Sequence, residues 1–262
     1  MTKNKKHRTS PDLAELFSRH EENYLPHISV NCVIIGFCEG TLQVIVNDVV
    51  LDRKRITVLP GGYLGKSEDL DHAVERIVRE STGLNDIPVQ LFAIFGNANR
   101  SFASELQKLT GQTTKQIAKA WFAQRFISVG YMALVDYRKI RLQPNPMYQS
   151  ARWIPLARAN SIAMDHKHMV VQAREVLIRD LPHAPIAARL LPEEFTLPEL
   201  QILTEAILGR KVDRANFRRK ILASESLLRV GSRQVGRGRP SDVYRFRRGH
   251  QNVLNPSVGL GF

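Results

Sequence analysis

Leu59-Pro60-Gly61-Gly62-Tyr63-Leu64-Gly65-Lys66-Ser67-Glu68-Asp69-Leu70-Asp71-His72-Ala73-Val74-Glu75-Arg76-Ile77-Val78-Arg79-Glu80-Ser81-Thr82-Gly83-Leu84 contains the change of hydrophobic period on which the fold turns. Just upstream, Ile56-Thr57-Val58-Leu59 is a short apolar run of strand type that ends at Pro60-Gly61-Gly62. Downstream, Leu70, Ala73, Val74, Ile77 and Val78 fall at i, i+3, i+4, i+7 and i+8, the stripe of an amphipathic helix. Gly83 is placed to close that helix as a left-handed cap. Working outward, residues 28–37 and 42–46 read as strands joined by a Glu39-Gly40 hairpin turn. Residues 89–95, 126–135 and 151–156 read as further strands, and 164–179 has helical spacing. Between two of those strands, residues 102–122 predict one or two helices interrupted near Thr110-Gly111, an insertion to which the residues assign no role. Strands, a helix on a Gly-Gly turn, more strands and a closing helix make an α/β sandwich of about 150 residues.

Pro182, Pro185 and Pro192 break helical continuity across residues 181–194 and mark a boundary. Beyond it, Thr196 can cap a helix with Pro198 and Glu199 in its first turn. Leu200, Leu203, Ala206 and Ile207 form the inner stripe of that helix, and Gly209 stops it. Asp213 caps a second helix, 214–223, whose Phe217, Ile221 and Leu222 are expected to face inward. Residues 227–230 and 243–246 are strands around a Gly- and Arg-rich turn. Helix, short turn, basic helix and β-hairpin is the order of a winged helix-turn-helix. The expected organisation is a polar arm over 1–26, a ligand-binding domain over 27–180, a linker over 181–195, a winged helix-turn-helix over 196–250 and a tail over 251–262.

The chain has 262 residues, 38 Lys+Arg against 25 Asp+Glu, and 43% hydrophobic residues, which describes a globular protein with a cationic bias rather than a disordered polycation. Residues 27–195 hold 20 basic against 16 acidic side chains, whereas 196–262 hold 13 against 5, so the excess concentrates at one end. A basic module on a nearly balanced one points to a polyanion, because Lys and Arg release counterions from phosphates. No run approaches the roughly 18 apolar residues of a membrane span, and the opening residues lack a signal-peptide core, so the expectation is a cytoplasmic protein. Cys32 and Cys38 have neither the paired spacing nor the nearby histidines of a zinc site and read as reduced thiols.

Residues 62–84 resemble the Nudix box, which runs Gly, five residues, Glu, seven residues, then Arg-Glu-aliphatic-any-Glu-Glu-any-Gly-aliphatic. Gly62, Glu68, Arg76, Val78, Glu80, Gly83 and Leu84 fall in the expected places. Ile77 stands for the first Glu of the Arg-Glu segment and Ser81 for the last. In Nudix hydrolases those carboxylates hold divalent cations and help activate the attacking water. Ile77 and Ser81 lie four apart on one helical face, so the change removes a matched pair of ligands. The resemblance implies that Glu68, Arg76 and Gly83 keep a structural role while the domain binds a nucleoside diphosphate with little or no hydrolysis. No catalytic residue, resident metal or required cofactor is expected. An active ADP-ribose pyrophosphatase is one alternative.

On the basic helix, Arg214 and Arg218 share one side at i and i+4. Arg can bond guanine bidentately, and Asn216 suits adenine. Arg219, Lys220 and, just before the helix, Lys211 extend the cationic surface. Arg233 leads into Gly236-Arg237-Gly238-Arg239-Pro240, which is similar to the core of minor-groove AT-hook peptides, with Arg237 and Arg239 as the candidate groove arginines. Lys3, Lys5, Lys6 and Arg8 form a candidate flexible arm.

The degenerate box followed by the basic winged helix resembles the Nudix-related transcriptional regulators, the NrtR family, over about residues 27 to 248. Asp165-His166, the tract 195–201 and the tract 206–211 add to the likeness. The fold implied is an α/β Nudix sandwich, a mixed sheet between helices, followed by a C-terminal winged helix-turn-helix. The function implied is a bacterial homodimeric repressor of NAD metabolism genes that binds palindromic double-stranded DNA and is released by ADP-ribose. Some branches of the family control sugar catabolism, so the second alternative is a regulator of sugar catabolism that senses a different phosphorylated metabolite. Gly61, Gly62, Glu80 and Arg125 are the candidate effector contacts, and the insertion at 97–125 is expected to border that site. His166 and His168, two apart on a helix, diverge and make a poor metal pair, so His166 is read as structural or hydrogen-bonding.

Overall fold

A computed structural model describes residues 20–51, 54–100, 102–110, 121, 124–142, 148, 150–181, 186–234 and 240–247. Its centre is a seven-stranded mixed sheet formed by β1 (Tyr24–Cys38), β2 (Thr41–Leu51), β3 (Lys54–Val58), β4 (Gly61–Gly65), β5 (Val89–Phe95), β6 (Ile127–Val135) and β7 (Ser150–Pro155). The path β3-β2-β1-β6-β5 is antiparallel except where β1 runs parallel to β6. Residues 29–36 of β1 are all buried, as expected of a strand covered on both faces. The Glu39-Gly40 turn has positive φ at both residues, 48° and 77°, the geometry that lets a two-residue hairpin follow the strand twist.

The Gly-Gly segment, read from the sequence as the end of a strand, instead forms β4. Strand β2 pairs only with the last residues of β1, Ile35 to Cys38, so the first half of β1 takes β4 along the same edge. Gly61 makes that approach possible, because a Cβ there would run into the Asn31 side-chain amide and come within 2.8 Å of the Val30 carbonyl.

Side-chain alternation along β1 divides the core. Val30, Cys32 and Ile34, with Val129, Tyr131 and Ala133 of β6, pack against Ala73, Val74, Ile77 and Val78 of helix α1 (Leu70–Thr82). Gly83 ends α1 in the left-handed conformation, φ 72°, and its N–H donates to the Arg79 carbonyl. Helix α2 (Ala103–Thr110) follows within the insertion. The opposite face, Val33 and Ile35 with Met132 and Leu134, packs on Met169, Val170, Ala173 and Leu177 of helix α3 (His166–Asp180).

That second core does not stop at the expected linker. Residues 186–190 form a short helix, α4 (Ile186–Leu190), with Ile186, Ala187 and Leu190 buried. The same apolar cluster then runs on through Leu197, Leu200, Leu203 and Ile207 of helix α5 (Leu197–Leu208) to Phe217 and Ile221 of helix α6 (Arg214–Ala223). Thr196 builds a full capping box on α5, and Gly209 ends it at φ 73°. Arg174 of α3 donates to the Ile207 carbonyl at 3.4 Å, placing a cation on the C-terminus of α5. A Cβ on Gly209 would come within 2.6 Å of that guanidinium. Leu222 is 40% exposed rather than inward-facing, because five residues beyond Phe217 lies about 140° around a helix from it. Strands β9 (Leu227–Arg233) and β10 (Ser241–Phe246) form the hairpin, and β8 (Phe195–Thr196) adds to β10.

Candidate functional site

At the start of α1, the Glu68 carboxylate accepts from Arg76 twice, Nε to Oε1 at 2.7 Å and Nη2 to Oε2 at 2.8 Å, and from the Gly65 N–H at 3.1 Å. Arg76 also donates to the Tyr63 carbonyl at 3.1 Å, tying α1 to β4. The hydrogen-bonded Arg76 guanidinium holds the Glu68 carboxyl below its ordinary range against the opposing effect of burial. Glu80 lies 3.8 Å from Arg76 Nη1 and is the part-exposed acid of this surface.

The two departures from the Nudix box have structural consequences. Ile77 is 2% exposed, packed in the sheet core and fitted against Gly62, where a Cβ would stand 3.3 Å from Ile77 Cδ1. Ser81 is buried and its hydroxyl donates to the Ile77 carbonyl at 2.8 Å. A methyl-terminated core side chain and a hydroxyl turned back on its own helix do not supply the hard anionic donors that a Mg²⁺ clamp requires. Among the described residues, no three His, Cys, Asp or Glu side chains gather at one point.

Around the two glycines, the Gly61 carbonyl accepts from the Tyr148 hydroxyl at 3.1 Å, and buried Asn31 accepts from Ser128 Oγ. Arg125 is exposed just before β6. Its Nη2 donates to the Gly96 carbonyl at 2.6 Å, while its own carbonyl accepts from His27 Nδ1 at 2.8 Å. The neighbouring Phe126 joins a buried aromatic cluster with Tyr63 and Trp121, whose rings lie 4.6 to 5.2 Å apart between centroids. The insertion therefore does border the Gly61-Gly62 strand, through Trp121, which is 6% exposed. Sequence reasoning missed this cluster. It also missed Arg100, a buried side chain that donates to Asp165 Oδ2 at 2.7 Å and to the Phe126 carbonyl at 3.1 Å. These partners lie 65 and 26 residues away, and no local pattern announces them.

His166 follows Asp165 into the core, where its Nδ1 accepts from the Leu59 N–H at 3.1 Å. Burial pushes its pKa down to about 4, against the Asp165 carboxylate, which favours the charged form. The ring is therefore a neutral structural acceptor, as expected from the sequence. His168 is exposed, lies against the Phe95 ring and bonds Gln172. Cys32 is a free, fully buried thiol, Cys38 a free, partly buried one.

At the basic end, Asp213 accepts from the Asn216 N–H at 2.7 Å and starts α6. Arg214 and Arg218 are exposed on this helix, and their side chains make no hydrogen bond or ion pair among the described residues. The other candidates divide. Asn216 Oδ1 accepts from Arg219 at 2.9 Å. Lys211 pairs with Glu205 at 2.7 Å, and Arg233 pairs with both oxygens of Glu199 at 2.7 and 2.9 Å. Lys220 is partly buried and has a partner of its own. Arg237 and Arg239, like Lys3, Lys5, Lys6 and Arg8, lie outside the described residues.

A Nudix-type sandwich that carries Ile77 and Ser81 on its helix, joined by a shared core to a winged helix with an arginine-bearing surface, defines the class: a Nudix-fold domain fused to a nucleic-acid-binding one. Residues 187–246 match the model of the NrtR DNA-binding winged helix domain. The chain is 26% identical over 226 residues to the ADPR responsive transcriptional repressor NtrR of Acinetobacter baylyi, covering 84% of this chain and 82% of that protein. It is similar in structure to Shewanella oneidensis NrtR complexed with a 27mer DNA, at TM-score 0.66 and 26% identity, over 86% of this chain and 95% of that one. A MutT/nudix family protein from Enterococcus faecalis shares the fold at TM-score 0.59 and 18% identity, over 90% and 94% of the two chains. The resemblance to the Nudix-related NrtR regulators, and the two-part fold it implied, are borne out. No helix among the described residues is long and apolar enough to cross a membrane.

Proposed function

We propose that this chain is a ligand-responsive transcriptional repressor. It holds duplex DNA through the exposed face of α6 and releases it when ADP-ribose occupies the Nudix-type domain. The observation that carries the reading is the pair Arg214 and Arg218, whose exposed side chains have no hydrogen-bond or ion-pair partner among the described residues and lie within the span matched by the NrtR DNA-binding winged helix domain. The relative from Acinetobacter baylyi is named as an ADPR-responsive repressor, and the similar Shewanella oneidensis NrtR was solved with DNA.

Gly61, Gly62, Glu80 and Arg125 are the proposed effector contacts, with the Arg125 guanidinium meeting the diphosphate after exchanging its bond to the Gly96 carbonyl. The domain binds without turnover, since Ile77 and Ser81 offer no carboxylate. No metal or cofactor is required, and NAD metabolism genes are the proposed targets. The functional unit is a homodimer on a palindromic operator. Leu91 and Ile94 on the edge strand β5, 50% and 65% exposed, support contact with a second copy. Release requires ADP-ribose to bind the DNA-free arrangement more tightly than the DNA-bound one. The apolar core running from the sheet to α6 supplies a physical connection for that difference.

The test is fluorescence anisotropy with labelled duplexes from upstream of the genes around its own, with and without ADP-ribose. Binding that ADP-ribose weakens is expected, and equal affinity in both conditions refutes the sensor reading. Rapid Mg²⁺-dependent hydrolysis of ADP-ribose would instead favour the pyrophosphatase.

A further inference from the structure

A cavity of about 480 Å³ lies where the two halves meet, away from the Gly61-Gly62 surface. Its apolar lining comes from Ile87, Leu134 and Leu191 of the sandwich and α4 region and from Phe246 of β10. Three cations line it: Lys139 beyond β6, Arg189 on α4 and Arg245 on β10. None of the three has a hydrogen bond or ion pair from its side chain among the described residues. Of the acids on the same wall, Asp136 is already neutralised by a two-point pair with Arg138, at 2.8 Å for both Nε and Nη2. Asp86 and Glu193 also line the cavity, and among the described residues neither pairs with a cation.

Arg189 is the informative member. It is half-buried, and burial is what disfavours its charge. A guanidinium does not shed its proton to escape that cost, and an anion brought to it offsets it. The volume suits a small organic molecule, since ligand sites commonly span about 300 to 1,000 Å³.

We propose that this junction cavity is a second ligand site that takes a phosphomonoester on a flat apolar body, its phosphate held by Arg189, Lys139 and Arg245 and its body resting on Ile87, Leu191 and Phe246. Because Arg245 and Phe246 belong to the winged helix and the other partners to the sandwich and α4, an occupant bridges the two halves. The site is separate from the proposed ADP-ribose contacts and does not depend on them.

Calorimetric titration of the full chain with phenyl phosphate tests this, in the absence and presence of excess ADP-ribose. Binding is expected in both conditions, with inorganic phosphate weaker because it leaves the apolar lining uncovered. Arg189→Gln should weaken phenyl phosphate about tenfold or more, the loss of one charge-assisted contact, with an unchanged unfolding midpoint. Lys139→Gln, on an exposed turn, should weaken it by a smaller factor and carries the test if the Arg189 variant does not fold. No binding to the unmodified chain overturns the proposal. So does binding that both variants retain in full, including binding that ADP-ribose displaces while Arg189→Gln leaves it intact. Equal affinity for inorganic phosphate and phenyl phosphate overturns the assignment of an apolar body.

Discussion

Arg76 on α1 and Arg218 on α6 are the same residue type on helices of similar length, and the structure uses them in opposite ways. Arg76 is three-quarters buried, bonded twice to Glu68 and once to the Tyr63 carbonyl, so all its donors but one edge are committed to the fold. Arg218 is exposed, and among the described residues no carboxylate reaches it. A charge whose partners are internal stabilises the chain, whereas one left open is available to a phosphate or a base. The difference separates the brace of the sandwich from the candidate reading surface of the winged helix.

The largest effect should come from breaking the brace. Arg76→Ala leaves the Glu68 carboxylate mostly buried and unpaired, and removing one partner of a buried pair costs about 3 kcal/mol. A urea titration should show a correspondingly lower midpoint, and an unchanged midpoint would break the contrast drawn above. Acid should act on the same half of the molecule. His166 is neutral in the fold with a pKa of about 4, against an ordinary value near 6.5, so the unfolded chain binds its proton first. The stability it contributes is complete above about pH 6.5 and is lost as pH falls toward 4, by at most roughly 3 kcal/mol. No histidine lies between residues 184 and 249, so the winged helix brings no matching loss. The check is the slope of unfolding free energy between pH 6.5 and 4, which His166→Gln should flatten.

Parts of this arrangement are legible in the sequence because they are local. The stripe from Leu70 to Val78, the cap at Gly83 and the Thr196 to Glu199 capping box each depend on residues a few positions apart, and the order of the winged helix follows from such local signals taken in sequence. The Glu68 to Arg76 brace was readable only through the spacing of the box. Long-range partnerships were not readable: Arg100 with Asp165, Trp121 on Tyr63, and Arg233 with Glu199 across 34 residues depend on how the sheet and hairpin bring distant segments together. Charge counting also grouped Arg233 and Lys211 with Arg214 and Arg218. The structure divides them, because Glu199 and Glu205 already occupy the first pair.

That division sharpens the comparison within the winged helix itself. Arg218→Ala and Arg214→Ala should each weaken binding to operator DNA by about 1 to 3 kcal/mol, roughly thirtyfold at the middle of that range, with little change in stability. Arg233→Ala should affect DNA less, because its guanidinium has to leave Glu199 before it reaches a phosphate. Anisotropy titrations of the three variants at one salt concentration would decide this, and equal losses at all three positions would remove the distinction between free and paired arginines.

The smallest effect tests whether α5 is only a support or also a link to the DNA surface. Glu199 accepts from the Thr196 N–H at 2.7 Å and from its hydroxyl at 3.0 Å, while the same carboxylate holds Arg233 of β9. Thr196→Ala removes the hydroxyl that accepts from the Glu199 N–H, an N-cap loss of about 1 kcal/mol. It also frees Glu199 from one of its donors, leaving the carboxylate more fully committed to Arg233. The expected result is a modest drop in unfolding midpoint with DNA affinity within about twofold of the unmodified chain. A loss of DNA binding comparable to that of Arg218→Ala would mean that the capping box positions α6 as well as stabilising α5, and that the brace and the reading surface are less separable than the two arginines suggest.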